Sequence, residues 1–319
     1  MNMNPLVSVV MPVYNAQEFL AEAIESILEQ TYENFELIIV NDGSTDKSEM
    51  IINSYKNSRI ILVSRENKGV SASRNEAMAL AKGKYIAMQD ADDLSDKNRL
   101  HKQVNFLEDN PEIGLLGSNY HVIESDSKNI CMTTDVFTRP KDLKIAEVFS
   151  NQFGQGTVMM RASHVKDKSY DEALALSEDY DLWTRLSRIT KIANLPEPLY
   201  KWRNHKKSAS AQSIDEARKY AYRIRDREFS YYLTHKKQYK FFNLNLGSTR
   251  GGTKKYFEQK NTMYRNMGLM YCYRGLRRFA VPITILAILH APWIRKTYSQ
   301  LFTIIARRSL IKDIEYEFL

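Results

Sequence analysis

Asp90, Asp92 and Asp93 place three carboxylates within four residues, directly after the short apolar run Tyr85–Gln89. Carboxylates so crowded repel one another, and a divalent cation relieves that repulsion. Mg²⁺ typically takes one or two protein carboxylates and completes its shell with phosphate oxygens and water. A solvated turn capping the next helix is the plain alternative, since Asp is common there. A position at the end of a buried strand favours the chemical reading. No G-x-x-x-x-G-K-[ST] occurs and no G-x-G-x-x-G follows the first apolar run, which disfavours a P-loop ATPase and a dinucleotide dehydrogenase. What remains is a nucleotide site that handles its diphosphate with metal and side chains.

The elements that must hold such a site are legible nearby. Leu6–Val13 and Phe35–Val40 read as buried strands, and Arg59–Val63 and Tyr85–Gln89 as the third and fourth. Between them, Ala16–Gln30 carries one apolar stripe, with Asn15 and Glu18 spaced as a capping box. A second helix starts near Thr45, and a third spans about Val70–Ala81 before Gly83 stops it. This alternation predicts an α/β fold, a Rossmann-like open and mainly parallel sheet flanked by helices. Ligands of such sheets bind beyond the carboxyl ends of the strands. Tyr14-Asn15, Asn41-Asp42-Gly43-Ser44 and the Asp90–Asp93 turn should therefore face one crevice. Further on, Gly114–Val122 and Thr157–Arg161 look like strands, and Ser177–Ile189 is a helix opened by Glu178 and Asp179. From about Ile214 the chain is helix-rich, basic and rich in tyrosine.

Composition limits the rest. With 43% apolar and 26% charged residues over 319 positions, the chain is globular and not disordered. Two cysteines, Cys131 and Cys272, cannot build a disulfide scaffold and form no C-x-x-C. The start, Met1–Val13, has no charged-then-apolar pattern of a secretory signal. The net charge of +8 is uneven: residues 201–319 hold 25 basic and 8 acidic side chains, net +17, while residues 1–200 hold 21 and 30, net −9. An acidic front and a basic rear suggest two jobs, the rear with an anionic partner.

Five blocks, in order, carry a family resemblance. Val7–Asn15 (VSVVMPVYN), Ile39–Asp46 (IVNDGSTD), Asn67–Asn75 (NKGVSASRN), Asp90–Asp93 and Glu178–Trp183 (EDYDLW) resemble the family 2 glycosyltransferases, which have the GT-A fold. The resemblance spans about residues 7–205 and implies a nucleoside-diphosphate-sugar donor, most often a UDP-sugar. It puts Pro12, Tyr14, Asn15, Asp42 and Ser44 on the nucleoside, where an Asp accepts the uracil N3–H. Many members carry Asp-Asp where this chain has Asn41-Asp42. Lys68 and Arg74 fall near the diphosphate, Arg74 having a planar fork that suits phosphate and carboxylate alike. Asp90 and Ala91 lie by the ribose, and Asp92 is the expected ligand of Mn²⁺ or Mg²⁺. Asp93 faces the metal or the transferred sugar.

Family members invert the anomeric centre, so one general base suffices, and it aligns with Asp179; Glu178 and Asp181 are the neighbouring candidates. Tyr200–His205 (YKWRNH) resembles the family's Tyr-Arg-x-His segment, which brings His205 toward the metal or diphosphate. No Gln-x-x-Arg-Trp of processive members occurs, favouring one sugar per event. Gln155 and Gly156 are expected on the acceptor side, with Glu178 and Trp183 also near acceptor or sugar.

The expected organisation is a GT-A catalytic domain over 1–213, with a nucleotide-sugar half to about 95 and an acceptor half beyond it. A basic region follows over 214–319. Within it, Phe279–Ile294 is apolar, flanked by Arg274–Arg278 and Arg295-Lys296, and shorter than the roughly 20 residues a span requires. It reads either as a segment lying on an anionic leaflet within 274–296 or as a buried helix. The expected acceptor is a lipid-linked saccharide for surface polysaccharide, and the expected location is peripheral on the inner face of the cell membrane. Rival readings are a catalytically inactive sugar-nucleotide-binding protein and a basic nucleic-acid-binding protein. The second is disfavoured by the lack of a recognisable module and by the acidic front.

Overall fold

The computed structural model describes residues 4–127, 129–138, 140–165, 169–205 and 214–235. The chain divides into two compact units, Met1–Ile224 and Arg225–Leu319. The apolar stretch 279–294 and its basic flanks lie outside the described residues, and among the described residues no helix is long and apolar enough to cross a membrane.

The first four strands are β1 (Val7–Val13), β2 (Phe35–Asp42), β3 (Ile60–Arg65) and β4 (Tyr85–Met88). They are parallel in the order β3-β2-β1-β4. β2 is buried along its whole length and β1 nearly so, as expected for strands covered on both faces. Pro12 sits within β1 because the β1–β4 pairing ends at Val10 with Met88, so no ladder bond to β4 is required there. Helices α1 (Leu20–Leu28), α2 (Ser48–Ser54) and α3 (Val70–Leu80) make the crossovers. α1 buries Leu20, Ala23, Ile24 and Ile27 against Val9, Met11, Leu37 and Ile39.

Beyond β4 the sheet becomes mixed. β5 (Leu94–Ser95) leads into α4 (Arg99–Asp109), followed by β6 (Ile113–Ile123), β7 (Ile130–Thr133) and α5 (Pro140–Phe149). A single 3₁₀ turn at Gln155–Thr157 precedes β8 (Met159–Arg161) and the short α6 (Ala162–Val165). Then come α7 (Glu178–Ser187), β9 (Lys191–Arg203) and α8 (Ile214–His235). The sheet order continues β4-β8-β6-β9-β5, with β7 on β6. β8 runs antiparallel to both β4 and β6, while β6 and β9 pair in parallel over ten residue pairs.

Among the boundaries that differ from the sequence expectation, two bear on the site. α1 begins at Leu20, and no side chain caps it. Asn15 instead adopts a left-handed φ of 49° and turns its Oδ1 toward Thr45, so the capping box does not form. β8 starts two residues late because Gln155–Thr157 are wound into the 3₁₀ turn.

Candidate active site

The carboxyl ends of β1, β2 and β4 open into one crevice of about 1390 Å³. Drug-sized ligands sit in pockets of roughly 300–1,000 Å³, so the crevice offers more room than one such ligand needs. Its first wall is a set of stapled loops. After β1, Tyr14 stands 54% exposed at the mouth. The Asn15 amide N–H donates to Ser44 Oγ (3.0 Å), and Asn15 Oδ1 accepts from the Thr45 N–H (2.8 Å). After β2, the buried Asp42 carboxylate pairs with Arg65 at 2.6 Å and accepts the N–H groups of Lys68 (2.9 Å) and Gly69 (2.8 Å). Asp42 thereby pins the start of α3 while still lining the crevice. A Cβ on Gly43, where φ is +72°, would come within 2.8 Å of the Asn67 backbone nitrogen. Only glycine lets these loops approach so closely.

The second wall is the Asp90–Asp93 turn, held from below by β9. Asp93, 1% exposed, accepts the Arg203 backbone N–H at 2.7 Å and a hydrogen bond from the Tyr200 hydroxyl. The same hydroxyl accepts the Asp90 N–H at 3.2 Å. Burial, then the Asp93 and Asp90 carboxylates, push the Tyr200 phenol well up, which keeps it protonated and able to donate. The buried Arg203 guanidinium donates to the Asp92 carbonyl (2.7 Å), the Ser125 carbonyl (2.6 Å) and Ser127 Oγ (2.5 Å). It also pairs with Glu22 of α1 at 2.9 Å and lies over the Phe19 ring. Arg99, fully buried, donates to the Met88 and Gly156 carbonyls and stacks on Tyr200.

The Asp92 side chain is a third exposed, and its Oδ2 lies 2.9 Å from His205 Nε2, whose ring packs on Phe19. Two neighbouring ligands of an octahedral ion, each about 2.1 Å from it, stand about 3 Å apart, so this pair fits one cation. Among the described residues no three His, Cys, Asp or Glu side chains form a cage. With one carboxylate and one imidazole offered, the remaining positions of such an ion would be left to phosphate oxygens and water.

The third wall is the N-terminus of α7. Ser177 takes a left-handed φ of 61° immediately before Glu178 and Asp179, a conformation that costs a non-glycine residue about 1–2 kcal/mol. Arg74 of α3, buried, bridges Glu178 (2.6 Å) and Asp90 (3.1 Å) and lies over the Tyr170 ring. Asp179 is half-buried, and its carboxylate accepts the Asn151 amide at 2.9 Å and the Tyr180 N–H at 2.7 Å. Burial, and then the Glu178 carboxylate beside it, push Asp179 up to about 7. A carboxyl that titrates there can both take and release a proton near neutral pH.

The crevice gathers Pro12, Tyr14, Asn15, Asp42, Arg74, Asp90, Ala91, Asp92, Asp93, Gln155, Gly156, Glu178, Asp179 and His205. Ser44, Lys68 and Trp183 stand elsewhere. Ser44 is spent on the Asn15 N–H, and the Lys68 side chain points to solvent while its backbone serves Asp42. Trp183 lies one turn deeper along α7, fully buried against Tyr170, because that helix face packs into the core. Gly156 lines the crevice, yet what approaches it is Tyr200: a Cβ there would meet the hydroxyl at 1.9 Å. Arg65, Asn151, Tyr200 and Arg203 were not singled out from the sequence. Only Tyr200 and Arg203 carried a signal, since both fall inside the YKWRNH segment.

Residues 8–167 match the family model described as glycosyl transferase family 2. An uncharacterized glycosyltransferase of Haemophilus influenzae is 35% identical over 241 residues, covering 72% of this chain and 75% of the relative. A UDP-Glc:alpha-D-GlcNAc-diphosphoundecaprenol beta-1,3-glucosyltransferase of Escherichia coli is 35% identical over 214 residues, 66% of this chain and 82% of the relative. Among solved structures, the S. aureus TarS 1-349 complex with UDP-GlcNAc superposes with a TM-score of 0.61 at 15% identity, covering 98% of this chain and 91% of that one. This likeness is one of fold, the GT-A fold.

Proposed function

The chain belongs to glycosyl transferase family 2, and from that premise we propose that it moves one sugar from a UDP-sugar to a hydroxyl of a lipid-linked saccharide, with inversion. The observation that carries this reading is the convergence on one crevice of the Asp92–His205 pair and the Asp179 carboxylate. The nucleotide would lie along the loops after β1 and β2, its base near Tyr14 and Asp42. Its diphosphate would point toward Asp92 and its sugar toward α7. The acceptor oxygen attacks the anomeric carbon from the side away from the diphosphate. The carbon–oxygen bond to UDP breaks with its electron pair, and Asp179 takes the hydroxyl proton. A divalent cation held by Asp92 and His205 would offset the charge on the departing diphosphate. Arg74 keeps Glu178 and Asp90 paired, so that both the metal turn and the base helix stay in register.

A lipid-linked acceptor is favoured by the name of the E. coli relative and by the +17 charge of residues 201–319. In this reading the basic C-terminal region holds the enzyme on an anionic leaflet, peripherally and on the cytoplasmic side, without nucleic acid as partner. The proposed domain division is a catalytic 1–213 followed by that basic 214–319.

The test is UDP release from a panel of UDP-sugars, with a GlcNAc-diphosphate-lipid acceptor and with or without Mn²⁺, in wild type and Asp179→Asn. Because the base must be ionised, the wild-type rate should climb with pH through about 7 and level off above it. D179N should lose at least about a hundredfold in kcat while binding UDP normally. A native pKa above the unfolded value of 3.8 also means that ionisation opposes folding, so native stability falls as pH rises from about 4 to about 7. D179N should therefore be more stable than wild type at pH 8. Undiminished turnover in D179N removes Asp179 as the base.

A further inference from the structure

We propose that Asn151 is a positioning residue for the reaction, its side-chain amide clamping the Asp179 carboxylate so that it stays ionised and aimed at the acceptor. This rests on the reading of Asp179 as the base. The amide is not free to rotate. Asn151 Oδ1 accepts the Phe153 N–H at 3.1 Å, closing a turn just after α5, so its Nδ2 must face outward and meets Asp179 Oδ2 at 2.9 Å. The turn is anchored on both sides. Buried Glu147 of α5 accepts the Gln152 N–H at 2.8 Å, and Asn194 of β9 donates to the Gln152 carbonyl at 3.2 Å. A loop pinned by two buried side chains, delivering one donor to one carboxylate oxygen, is a built contact.

The neighbours of Asp179 give that donor its purpose. Glu178 on the same helix disfavours ionisation, and Arg74 from α3 favours it. Tyr120 of β6 and Tyr170, ahead of α7, face the carboxylate as neutral phenols, their own ionisation opposed by it. Asn151 thus adds to Arg74 and to the Tyr180 N–H in holding the charged form against burial and Glu178.

Asn151→Asp is the discriminating variant. The new carboxylate keeps the acceptor for the Phe153 N–H, so the turn survives, but it replaces a donor with a like charge. Asn151→Ala removes both. Two readouts apply: the Asp179 carboxyl titration followed by ¹³C NMR in aspartate-labelled protein, assigned through D179N, and the pH profile of UDP release from UDP-glucose with the GlcNAc-diphosphate-lipid. The clamp predicts that N151D raises the Asp179 midpoint by about one pH unit or more, which lowers the rate at pH 6.5 about tenfold. At pH 9 the rate should recover to within about twofold, with unchanged UDP affinity. N151A should move the midpoint the same way by less. A rate loss equal at all pH values, with an unmoved midpoint, would overturn the clamp and leave Asn151 a mere loop residue. Active D179N would overturn both the clamp and the base assignment, so the two failures are told apart.

Discussion

The two halves of the crevice are built in opposite ways. The first wall is made of short loops at the ends of adjacent parallel strands, and its fixing bonds connect residues about 30 apart, such as Asn15 with Thr45 and Asp42 with Lys68. The other two walls are held largely by partners about 110 residues away: Asp93 with Arg203, Asp92 with His205, Asp90 with Tyr200, and Glu178 with Arg74, although the Asn151–Asp179 contact spans only 28. A local wall can lose one staple and keep its shape, because the strands beneath it define where each loop begins. A wall assembled from distant segments depends on a few buried junctions, so damage there should spread.

The sharpest way to break this contrast is Gly156→Ala. The added Cβ would sit 1.9 Å from the Tyr200 hydroxyl and 2.1 Å from its ring carbon, with Arg99 packed on the same ring and bonded to the Gly156 carbonyl. Tyr200 cannot retreat without releasing the Asp90 N–H and Asp93 together. Overpacking ordinarily costs 1–3 kcal/mol, and here about 3 kcal/mol or more is expected, read from the urea midpoint, with loss of transfer. A variant as stable as wild type would mean that the distant junction is soft. Next in size is Arg203→Met, which keeps the bulk over Phe19 but removes the donors to Asp92, Ser125 and Ser127 and the pairing with Glu22. Glu22 is half exposed and Ser125 lies at the surface, so both can return to water, and the cost is set mainly by the Asp92 carbonyl left without a donor, about 1–3 kcal/mol. On the proposed reading, metal-dependent UDP binding should weaken with it, because the donor that fixes the Asp92 carbonyl is lost. Unchanged binding would confine Arg203 to stability alone.

The same contrast explains what could be read from the sequence. Strands β1, β2 and β4 announce themselves as apolar runs, and the rule that ligands sit past their carboxyl ends brings Asn15, Asp42 and Asp90 together without coordinates. Nothing in the sequence links Asn151 to Asp179, since the pairing arises only when the turn after α5 meets the start of α7. Trp183 was expected near acceptor or sugar only through the EDYDLW block, and the structure packs it fully buried against Tyr170. Gly156 has a comparable history. Glycine signals a close approach, yet the approaching group, Tyr200, lies 44 residues on and is identified only by the β6–β9 pairing that brings it there.

The smallest predicted effect tests the wall of stapled loops. Asn15→Ala removes the acceptor for the Thr45 N–H and puts a side chain that disfavours left-handed backbone at φ 49°. The cost should be about 1–2 kcal/mol in urea unfolding. Asn15→Gly separates the two contributions, because glycine tolerates the backbone and only the hydrogen bond is lost. It should therefore cost less than alanine. If the wall is local, neither variant should change the Asp179 titration or the pH profile, whatever it does to UDP affinity. A shift in that profile would mean that the loops after β1 and β2 communicate with α7, and Arg74, which touches both Asp90 and Glu178, would be the route.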